Sequence, residues 1–410
     1  MITASEVLSP TIMAEAAICQ VVMLIRSDIQ FAVCVRERCW IVTMLIVCSE
    51  VILARASTSP FSLFTFDHDS FIMATDNSFP VISFSSYHNE FDAFAREVFS
   101  ASQNWGFFIL TDHGIPQVDD MFDMSKEFFD LPMEQKATHI IDGTLTGYDG
   151  KKLTTFAASE GISFGMPAGS VLTHTNLPNW WTASKRRDIE SFKSSCYGLS
   201  LAIISTFASQ LGIEKTSLTK FHKQSAPGNV LKFIKYPHFD EKPDAIPRLS
   251  EHTDWGSITF VFTEKSGLEI RDPSNNWFHI PVIPGGVVVN IGDALSLWSN
   301  GALKSTMHRI SWKNLDIAED RLSIVYFTHP NNDAILSSLT ESEKPDAEAL
   351  PLTYEKYLKI RSVLTYGSLR ELKDGGVPFE DIDPRALEQV RGLCVANSGI
   401  LESHARNKAA

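Results

Sequence analysis

Cysteine is scarce and unevenly distributed in this sequence of 410 residues. Four of the six cysteines lie within the first 48 residues, and no two cysteines are spaced as C-x-x-C. A disulfide framework and a zinc-thiolate site both require a denser arrangement, so we expect neither. The other two, Cys196 and Cys394, are typical of a reduced protein, and we therefore expect a cytoplasmic location.

Dense clusters of lysine and arginine are also absent, and the formal net charge is −13. Binding to the phosphates of nucleic acid requires clustered basic side chains, so we exclude nucleic acid as a partner. The sequence contains neither G-x-G-x-x-G after a predicted strand nor G-x-x-x-x-G-K-[S/T], which argues against dinucleotide and P-loop sites. With 44% hydrophobic and 21% charged residues, the chain resembles a globular protein that can bury a sizeable core.

No apolar run reaches the length of about 20 residues that a membrane-spanning helix needs. Residues 40–54 come nearest, and Glu50 interrupts them. Three interpretations of this segment stay open: a membrane anchor within residues 20–55, an additional packed helix, or a stretch foreign to the native protein. Under the third, Met73 is the native start, because organised sequence begins there, and residues 1–72 come from an error in the gene model.

The pattern of hydrophobic residues divides the remaining chain into three regions. Residues 73–225 mix short strands with helices, of which the longest is predicted at 185–211. Between residues 226 and 335, short strands follow one another at even spacing and are bounded by Gly, Pro, Asn or Asp, which is typical of a closed or sandwiched antiparallel fold. Residues 336–410 return to a helical pattern and end in a tail.

His252 and Asp254 lie two positions apart at the start of a predicted strand. Residues i and i+2 of a strand point to the same side, so the imidazole and the carboxylate can converge on one point. His308 lies in a later predicted strand that antiparallel pairing would bring opposite. Two histidines and one carboxylate on one face form the facial triad of non-haem Fe(II) oxygenases. The alternative is a chance H-x-D whose histidine is simply hydrogen-bonded in a core.

Arg321 and Ser323 are likewise two positions apart on a predicted strand. A guanidinium and a hydroxyl on one face suit a carboxylate ligand. Alternatively, Arg321 forms a surface ion pair with Glu319 or Asp320. Tyr236 could donate its phenol to a second carboxylate near the metal, or it could be an ordinary core tyrosine.

From about residue 78 to residue 330, the sequence resembles the isopenicillin N synthase-like family of 2-oxoglutarate-dependent dioxygenases. Asp112 stands where that family usually has asparagine. The family's motifs occur here in its own order: Phe79-Pro-Val-Ile-Ser-Phe84, Gly106-Phe-Phe108, Asp112-His-Gly-Ile-Pro116, Phe128-Phe-Asp-Leu-Pro-Met-Glu-Gln-Lys136, Gly147-Tyr148, Lys235-Tyr-Pro237, His252-Thr-Asp-Trp-Gly256, Val289-Asn-Ile-Gly-Asp293, Ser299-Asn-Gly301, Ser305-Thr-Met-His-Arg309 and Arg321-Leu-Ser323.

This resemblance implies a mainly β fold with flanking helices around a double-stranded β-helix, or jelly-roll, core at residues 226–335. It implies that Fe(II) is bound by the triad His252, Asp254 and His308, which would also be the catalytic residues. It further implies that 2-oxoglutarate, the cosubstrate consumed with O₂, is bound by Tyr236, Asn290, Arg321 and Ser323.

By position in the family, the residues that face the substrate would be Phe164, Lys232, Phe327 and His329. Lys232 and His329 indicate a polar or acidic group on the substrate, whereas the two phenylalanines indicate an apolar or planar body. The alternative is that Phe164 and Phe327 belong to the core, since buried aromatic residues usually serve packing.

We therefore expect an oxidoreductase, an Fe(II)- and 2-oxoglutarate-dependent dioxygenase that hydroxylates or desaturates a small organic molecule, in secondary (natural-product) metabolism. One alternative is an oxidase or cyclase of the same fold that works without 2-oxoglutarate, as isopenicillin N synthase and aminocyclopropanecarboxylate oxidase do. Another is a non-catalytic, ligand-binding jelly roll. A membrane-attached oxygenase would depend wholly on residues 20–55. The sequence indicates neither the substrate nor the oligomeric state.

Overall fold

The computed structural model describes residues 79–153, 157–165, 176–242, 248–313, 315–340, 351–366 and 383–398, together with four strands between residues 24 and 55. The chain divides into two compact units, Met1–Asn77 and Ser78–Ala410. The predicted N-terminal extension, residues 1–72, lies within the first unit. Met73, the predicted native start, and the tail after residue 398 lie outside the described residues.

The first unit contains an antiparallel sheet of four strands in sequence order: β1 (Leu24–Ile25), β2 (Asp28–Val35), β3 (Arg38–Val47) and β4 (Glu50–Arg55). Strands thus occupy the segment for which we considered a packed helix or a helical membrane anchor, and neither helical interpretation matches the structure. Runs of β-branched residues such as those in β3 and β4 favour strands. Among the described residues, no helix combines the length and the apolar character needed to cross a membrane.

The described helices of the second unit lie between and after its strands. Helix α5 begins after Thr182, whose side-chain oxygen accepts a hydrogen bond from the backbone N–H of Lys185 at 3.4 Å. The described helices are α1 (Ser85–Asn89), α2 (Phe91–Asn104), α3 (Val118–Phe129), α4 (Met133–Lys136), α5 (Ala183–Gln210), α6 (Asp293–Trp298), α7 (Tyr354–Tyr366) and α8 (Pro384–Ser398).

An eight-stranded sheet forms the larger layer of this unit. Its strands are β5 (Val81–Ser83), β6 (Phe107–Thr111), β7 (Gly147–Leu153), β8 (Ala158–Phe164), β9 (Val230–Tyr236), β11 (Ile258–Thr263), β14 (Val287–Ile291) and β16 (Arg321–Thr328). They lie in the order β5-β6-β14-β11-β16-β9-β8-β7. Four of the eight strands therefore come from residues before 226, so the large sheet extends beyond the region predicted as the core.

A four-stranded sheet forms the smaller layer, in the order β10-β15-β12-β13. Its strands are β10 (Leu249–His252), β12 (Leu268–Arg271), β13 (Trp277–His279) and β15 (His308–Ile310). The two layers, which are antiparallel except where β5 pairs with β6, confirm the predicted mainly β fold with flanking helices and a jelly-roll core. The later predicted strand that carries His308 is β15, which is only three residues long.

The large sheet carries a hydrophobic cluster on each face, because successive residues of a strand point to opposite sides. Phe107 and Ile109 of β6 pack against Ile270 and Ile310 of the small sheet, so this face is the interior of the jelly roll. Their neighbours on the same strand, such as Phe108, belong to the larger cluster that includes residues of α2, α3 and α5. We call the first side the interior face and the second the helix face.

Candidate active site

Strands β10 and β15 bring three potential metal ligands together. His252 ends β10, His308 begins β15, and the two residues are paired across the antiparallel ladder. Asp254 follows β10 by two positions, and its Oδ1 lies 3.9 Å from His252 Nε2 and 3.8 Å from His308 Nε2. One ligand atom from each residue lies within 4.8 Å of the others, so the three side chains could hold one metal ion.

Backbone carbonyls determine which ring nitrogen of each histidine is available. His252 Nδ1 lies 2.8 Å from the carbonyl oxygen of Ser250, and His308 Nδ1 lies 3.1 Å from that of Thr306. A carbonyl oxygen only accepts hydrogen bonds, so each Nδ1–H must donate. Each Nε2 of a neutral ring then keeps its lone pair, and both Nε2 atoms are directed toward Asp254. This is the usual arrangement of histidines that bind metals.

The two carboxylate oxygens of Asp254 have different neighbours. Oδ2 accepts hydrogen bonds from Thr259 Oγ1 at 2.6 Å and from Asn290 Nδ2 at 2.8 Å, whereas Oδ1 faces the two histidines. Burial by itself would raise the pKa of Asp254, but the two imidazoles and these hydrogen bonds lower it below its usual value. The carboxylate is therefore ionised and oriented at neutral pH.

Desolvation, reinforced by the neighbouring His308 and opposed by Asp254, lowers the pKa of His252 to about 4. The imidazole of His252 is therefore neutral at pH 7, which is the form that binds a metal ion. Two imidazoles and one carboxylate suit Fe(II), and as only three ligands they leave positions open for other molecules. The donor set thus fits the metal expected from the sequence.

Comparison with known proteins decides the family. Residues 79–183 match the model of the N-terminal region of non-haem dioxygenases in morphine synthesis, and residues 228–330 match that of the 2OG-Fe(II) oxygenase superfamily. UPF0676 protein C1494.01 of Schizosaccharomyces pombe is 32% identical, over 68% of this chain and 90% of its own length. The protein belongs to the 2OG-Fe(II) oxygenase superfamily. It is thus an oxidoreductase, a dioxygenase that uses Fe(II), 2-oxoglutarate and O₂, as the sequence analysis predicted.

Other relatives of this oxygenase match it over most of their own length. The enzyme 1-aminocyclopropane-1-carboxylate oxidase 3 of Arabidopsis thaliana is 28% identical, over 72% of this chain and 91% of its own. The crystal structure of a full-length Neurospora crassa protein in complex with alpha-KG superposes with a TM-score of 0.61 at 26% identity, covering 70% of this chain and 96% of that one. A 2OG-Fe(II) oxygenase family protein of Caulobacter crescentus gives 0.60 at 27% identity, covering 72% and 99%.

Tyr236, Arg321 and Ser323 form a second cluster on the interior face of the oxygenase. Tyr236 of β9 is paired with Arg321 of β16, and the guanidinium carbon lies 5.3 Å from the centroid of the phenol ring. Arg321 donates through Nη1 to Ser323 Oγ and through Nε to the carbonyl oxygen of Ser266 at 2.8 Å. Its Nη2 is buried and has no hydrogen-bond partner among the described residues. The structure therefore brings together three of the four residues predicted to bind 2-oxoglutarate.

Asn290, the fourth of these residues, instead donates a hydrogen bond to Asp254, one of the three potential metal ligands. Sequence reasoning also missed Arg248, which is fully buried and whose Nε and Nη2 lack hydrogen-bond partners among the described residues. Its guanidinium lies 4.4 Å from the ring centroid of Trp312, and its Nη1 donates to the carbonyl oxygen of Pro237. No spacing pattern links Arg248 to Tyr236, although its charge acts to lower the pKa of that phenol against the dominant effect of burial.

Phe164 does not face the substrate region, so that prediction is wrong. It is paired with Leu231, whereas Lys232 is paired with Ser163, so Phe164 and Lys232 lie on opposite faces of the large sheet. The Phe164 side chain is fully buried in the helix-face cluster, with its ring 4.7 Å from that of Trp181 and 5.2 Å from that of Phe233. The core interpretation of Phe164 is the one that the structure supports.

Lys232 and Phe327 lie on the interior face, as their strand positions predict. Lys232 Nζ forms an ion pair with Asp149 Oδ2 at 2.9 Å, a partner that sequence reasoning missed. Gly161 lies next to this ion pair, since a Cβ atom added to it would lie 2.9 Å from Lys232 Cε. Phe327 is paired with Thr259, the residue that binds Asp254, and its side chain is half-buried.

His329 lies just beyond the end of β16, in a slot between two glycines. A Cβ atom at Gly228 or at Gly256 would overlap the imidazole ring. His329 Nδ1 forms a hydrogen bond of 2.9 Å with the hydroxyl of Tyr354, and desolvation lowers its pKa to about 4. The ring is therefore neutral at pH 7 and held in one orientation.

Proposed function

We propose that His252, Asp254 and His308 hold the Fe(II) of this oxygenase and that the enzyme hydroxylates or desaturates a small organic molecule. The observation that carries the proposal is the convergence of two Nε2 atoms and one carboxylate oxygen, each oriented by a hydrogen bond on its other side. When bound, Fe(II) together with 2-oxoglutarate activates O₂ for removal of a hydrogen from a C–H bond. The chain's own contribution is to orient three ligands and leave the remaining metal positions open.

Arg321, Ser323 and Tyr236 would hold the distal carboxylate of 2-oxoglutarate. Tyr236, expected from the sequence at the carboxylate near the metal, is assigned to this end because it is paired with Arg321. A buried guanidinium whose Nη2 has no partner in the described part of the chain, next to a hydroxyl and a phenol, is suited to a carboxylate because charge-assisted hydrogen bonds are strong in a desolvated site. Burial lowers the pKa of Arg321 to about 10, so the group stays cationic at neutral pH. Arg248 would add a second positive charge near Tyr236, and two positive charges support a ligand with more than one negative charge.

Lys232, Phe327 and His329 would face the substrate. Because Asp149 neutralises Lys232 and the imidazole of His329 is uncharged, the substrate wall offers polar groups with little net charge. Phe327 adds apolar surface beside the proposed metal ligands. The name of the Arabidopsis thaliana relative, 1-aminocyclopropane-1-carboxylate oxidase 3, supports a small-molecule substrate, and we place the reaction in secondary metabolism.

We also propose that residues 73–410 constitute the functional enzyme and that it acts in the cytoplasm. The match to the family begins at residue 79 and the second compact unit begins at Ser78. Cys196 is buried and free, as expected in a reducing compartment. Residues 73–410 expressed alone should show the same turnover of 2-oxoglutarate as the full chain. Loss of that turnover on removal of residues 1–72 would assign the first unit a role in the enzyme.

Anaerobic titration of the purified protein with Fe(II), then with 2-oxoglutarate, tests the iron and cosubstrate assignments. A chelated keto acid on Fe(II) gives a visible charge-transfer band, which should appear in the wild type and be absent in His252→Ala. Arg321→Gln should still give the band but need on the order of 10- to 100-fold more 2-oxoglutarate, since it loses charge-assisted hydrogen bonds. Iron binding without any band would place the protein with oxygenases that work without 2-oxoglutarate. Undiminished iron binding by His252→Ala would overturn the metal site.

A further inference from the structure

Helix α7 directs three buried side chains at the segment that carries the metal ligands. Tyr354, Tyr357 and Arg361 are spaced three and four residues apart, so they lie along one face of the helix. Their side chains are almost completely buried, with relative exposures of 0%, 2% and 4%. Tyr354 contacts His329, whereas Tyr357 and Arg361 both reach a single carboxylate, that of Asp293.

Asp293 receives its hydrogen bonds from three different parts of the chain. Its Oδ2 accepts a bond from the hydroxyl of Tyr357 at 2.6 Å and lies 3.3 Å from Arg361 Nη2. Its Oδ1 accepts a bond from Ser305 Oγ at 2.5 Å. Ser305 precedes His308 by three positions, and Asp293 itself is 3% exposed. The carboxylate therefore joins α7 to the segment that leads into the second metal-binding histidine.

The same network reaches the first two ligands through Thr253, the residue between them. Thr253 Oγ1 accepts a hydrogen bond from Arg361 Nη2 at 3.0 Å and donates one to Asp293 Oδ2 at 3.3 Å. The backbone N–H of Asp293 also donates to the carbonyl oxygen of Asp254 at 2.8 Å. Arg361 and Asp293 thus hold the short segment His252–Asp254 from the side opposite to the metal ligands' donor atoms.

We infer that Tyr357, Arg361 and Asp293 are positioning residues that set the affinity of the oxygenase for Fe(II). A buried ion pair adds little net stability, because desolvation of both charges offsets their attraction, so stability alone is a weak reason for this arrangement. Hydrogen bonds that orient metal ligands change metal affinity by about 10- to 100-fold. The inference rests on the proposed function, since it requires His252, Asp254 and His308 to be the metal ligands.

The chain contains a matched control for this network. Tyr148 donates to Glu160 Oε2 at 2.6 Å, and Lys136 Nζ lies 3.1 Å from the same oxygen, with all three side chains buried. This cluster therefore repeats the arrangement of tyrosine, carboxylate and cation. It lies on the helix face of the large sheet and contacts none of the three metal-binding side chains. Tyr148→Phe and Tyr357→Phe remove the same hydroxyl from equivalent surroundings.

Fe(II) affinity of the full chain, measured by anaerobic titration against a colorimetric chelator, tests the inference. Tyr357→Phe and Arg361→Gln should raise the dissociation constant for Fe(II) about tenfold or more, and Arg361→Lys should recover part of the loss. Tyr148→Phe should stay within about twofold of the wild type, even where it lowers the melting temperature as much as Tyr357→Phe does. All titrations are made well below the lowest melting temperature, so that only folded protein is compared.

Two different failures are distinguishable in this experiment. If Tyr357→Phe and Arg361→Gln bind Fe(II) as tightly as the wild type while His252→Ala does not bind it, the network is only structural and the inference is overturned. If His252→Ala also binds Fe(II) with wild-type affinity, the proposed metal site itself is wrong. The visible spectrum of the Co(II)-substituted protein gives a second readout, since altered ligand geometry should shift its d–d bands in Tyr357→Phe but not in Tyr148→Phe.

Discussion

His252 and His308 lie directly opposite each other on neighbouring antiparallel strands, with 4.2 Å between the centroids of their rings. Paired residues of this kind are held by the sheet itself, so the distance between two of the three proposed ligands does not depend on a loop. Asp254, which follows β10, is the ligand whose position requires additional support. That support comes from side-chain hydrogen bonds, and it makes the metal site sensitive to residues that never touch the metal.

Thr259→Val should weaken Fe(II) binding about tenfold, because valine keeps the shape of threonine but cannot donate the 2.6 Å hydrogen bond to Asp254 Oδ2. Isothermal titration under anaerobic conditions would measure the change. Thr206→Val is the control, since Thr206 is equally buried on α5 and its hydroxyl donates only to the carbonyl oxygen of Ile203. Equal Fe(II) affinities in the two variants would contradict a role for Thr259 in orienting the carboxylate.

Arg248→Gln should raise the concentration of 2-oxoglutarate needed for half-saturation by roughly 3- to 10-fold and leave Fe(II) affinity unchanged. Its guanidinium is fully buried, and its Nε and Nη2 have no hydrogen-bond partner among the described residues, so removing it lowers the positive charge near Tyr236 without removing a hydrogen bond to the metal ligands. The charge-transfer titration described above provides the measurement. Arg186→Gln, which alters an arginine bound to the carbonyl oxygen of Trp181, should have no effect on cosubstrate binding.

Gly161→Ala should change substrate recognition with little effect on stability. The added methyl group would lie 2.9 Å from Lys232 Cε, and a flexible lysine can move away, but its ion pair with Asp149 must then lengthen. We expect an altered KM for the substrate and an unchanged rate of substrate-independent succinate formation. A variant whose KM equals that of the wild type would show that the Lys232–Asp149 pair does not contact the substrate.

The buried His222 should make the fold lose stability as the pH falls from about 6.5 to 4. Desolvation lowers the pKa of His222 to about 4, so below pH 6.5 the unfolded chain binds a proton that the folded chain does not. The difference between a pKa of 6.5 in the unfolded chain and about 4 in the folded chain corresponds to about 3 kcal/mol of stability lost by pH 4. Urea unfolding of the wild type and of His222→Gln at several pH values would test this, since the variant should lack that share of the pH dependence. Parallel curves for the two proteins would refute it.

Much of the fold and of the proposed metal site can be predicted from patterns that are local in sequence. The i, i+2 spacing of His252 and Asp254 and of Arg321 and Ser323 is enough to place each pair on one side, and the regular spacing of short strands predicts the layered β fold. Phe164 shows the limit of such reasoning. Its side is determined by the register of β8 against β9, and a shift of one residue would reverse it.

Contacts between distant residues are the other part that the sequence does not reveal. Asp149 and Lys232 are 83 positions apart, and Arg361 and Thr253 are 108 positions apart. Neither pair has a spacing that distinguishes it from other polar residues, and although Thr253 lies in the motif His252–Gly256, nothing in the sequence links it to Arg361. Such pairs become visible only when the strands and helices have been placed, because their proximity depends on the whole topology of the sheet.

Helix α7 follows all three proposed metal ligands in the sequence, and this order affects when the metal site is completed during synthesis. Ribosomes synthesise a chain from its N-terminus onward. A nascent chain that has reached residue 353 already contains His252, Asp254 and His308 but lacks Tyr357 and Arg361. Such a chain could form the strands that carry the ligands without the groups that hold Asp293 and Thr253. Tight loading with iron would therefore follow the synthesis of α7 and its docking against Thr253 and Asp293.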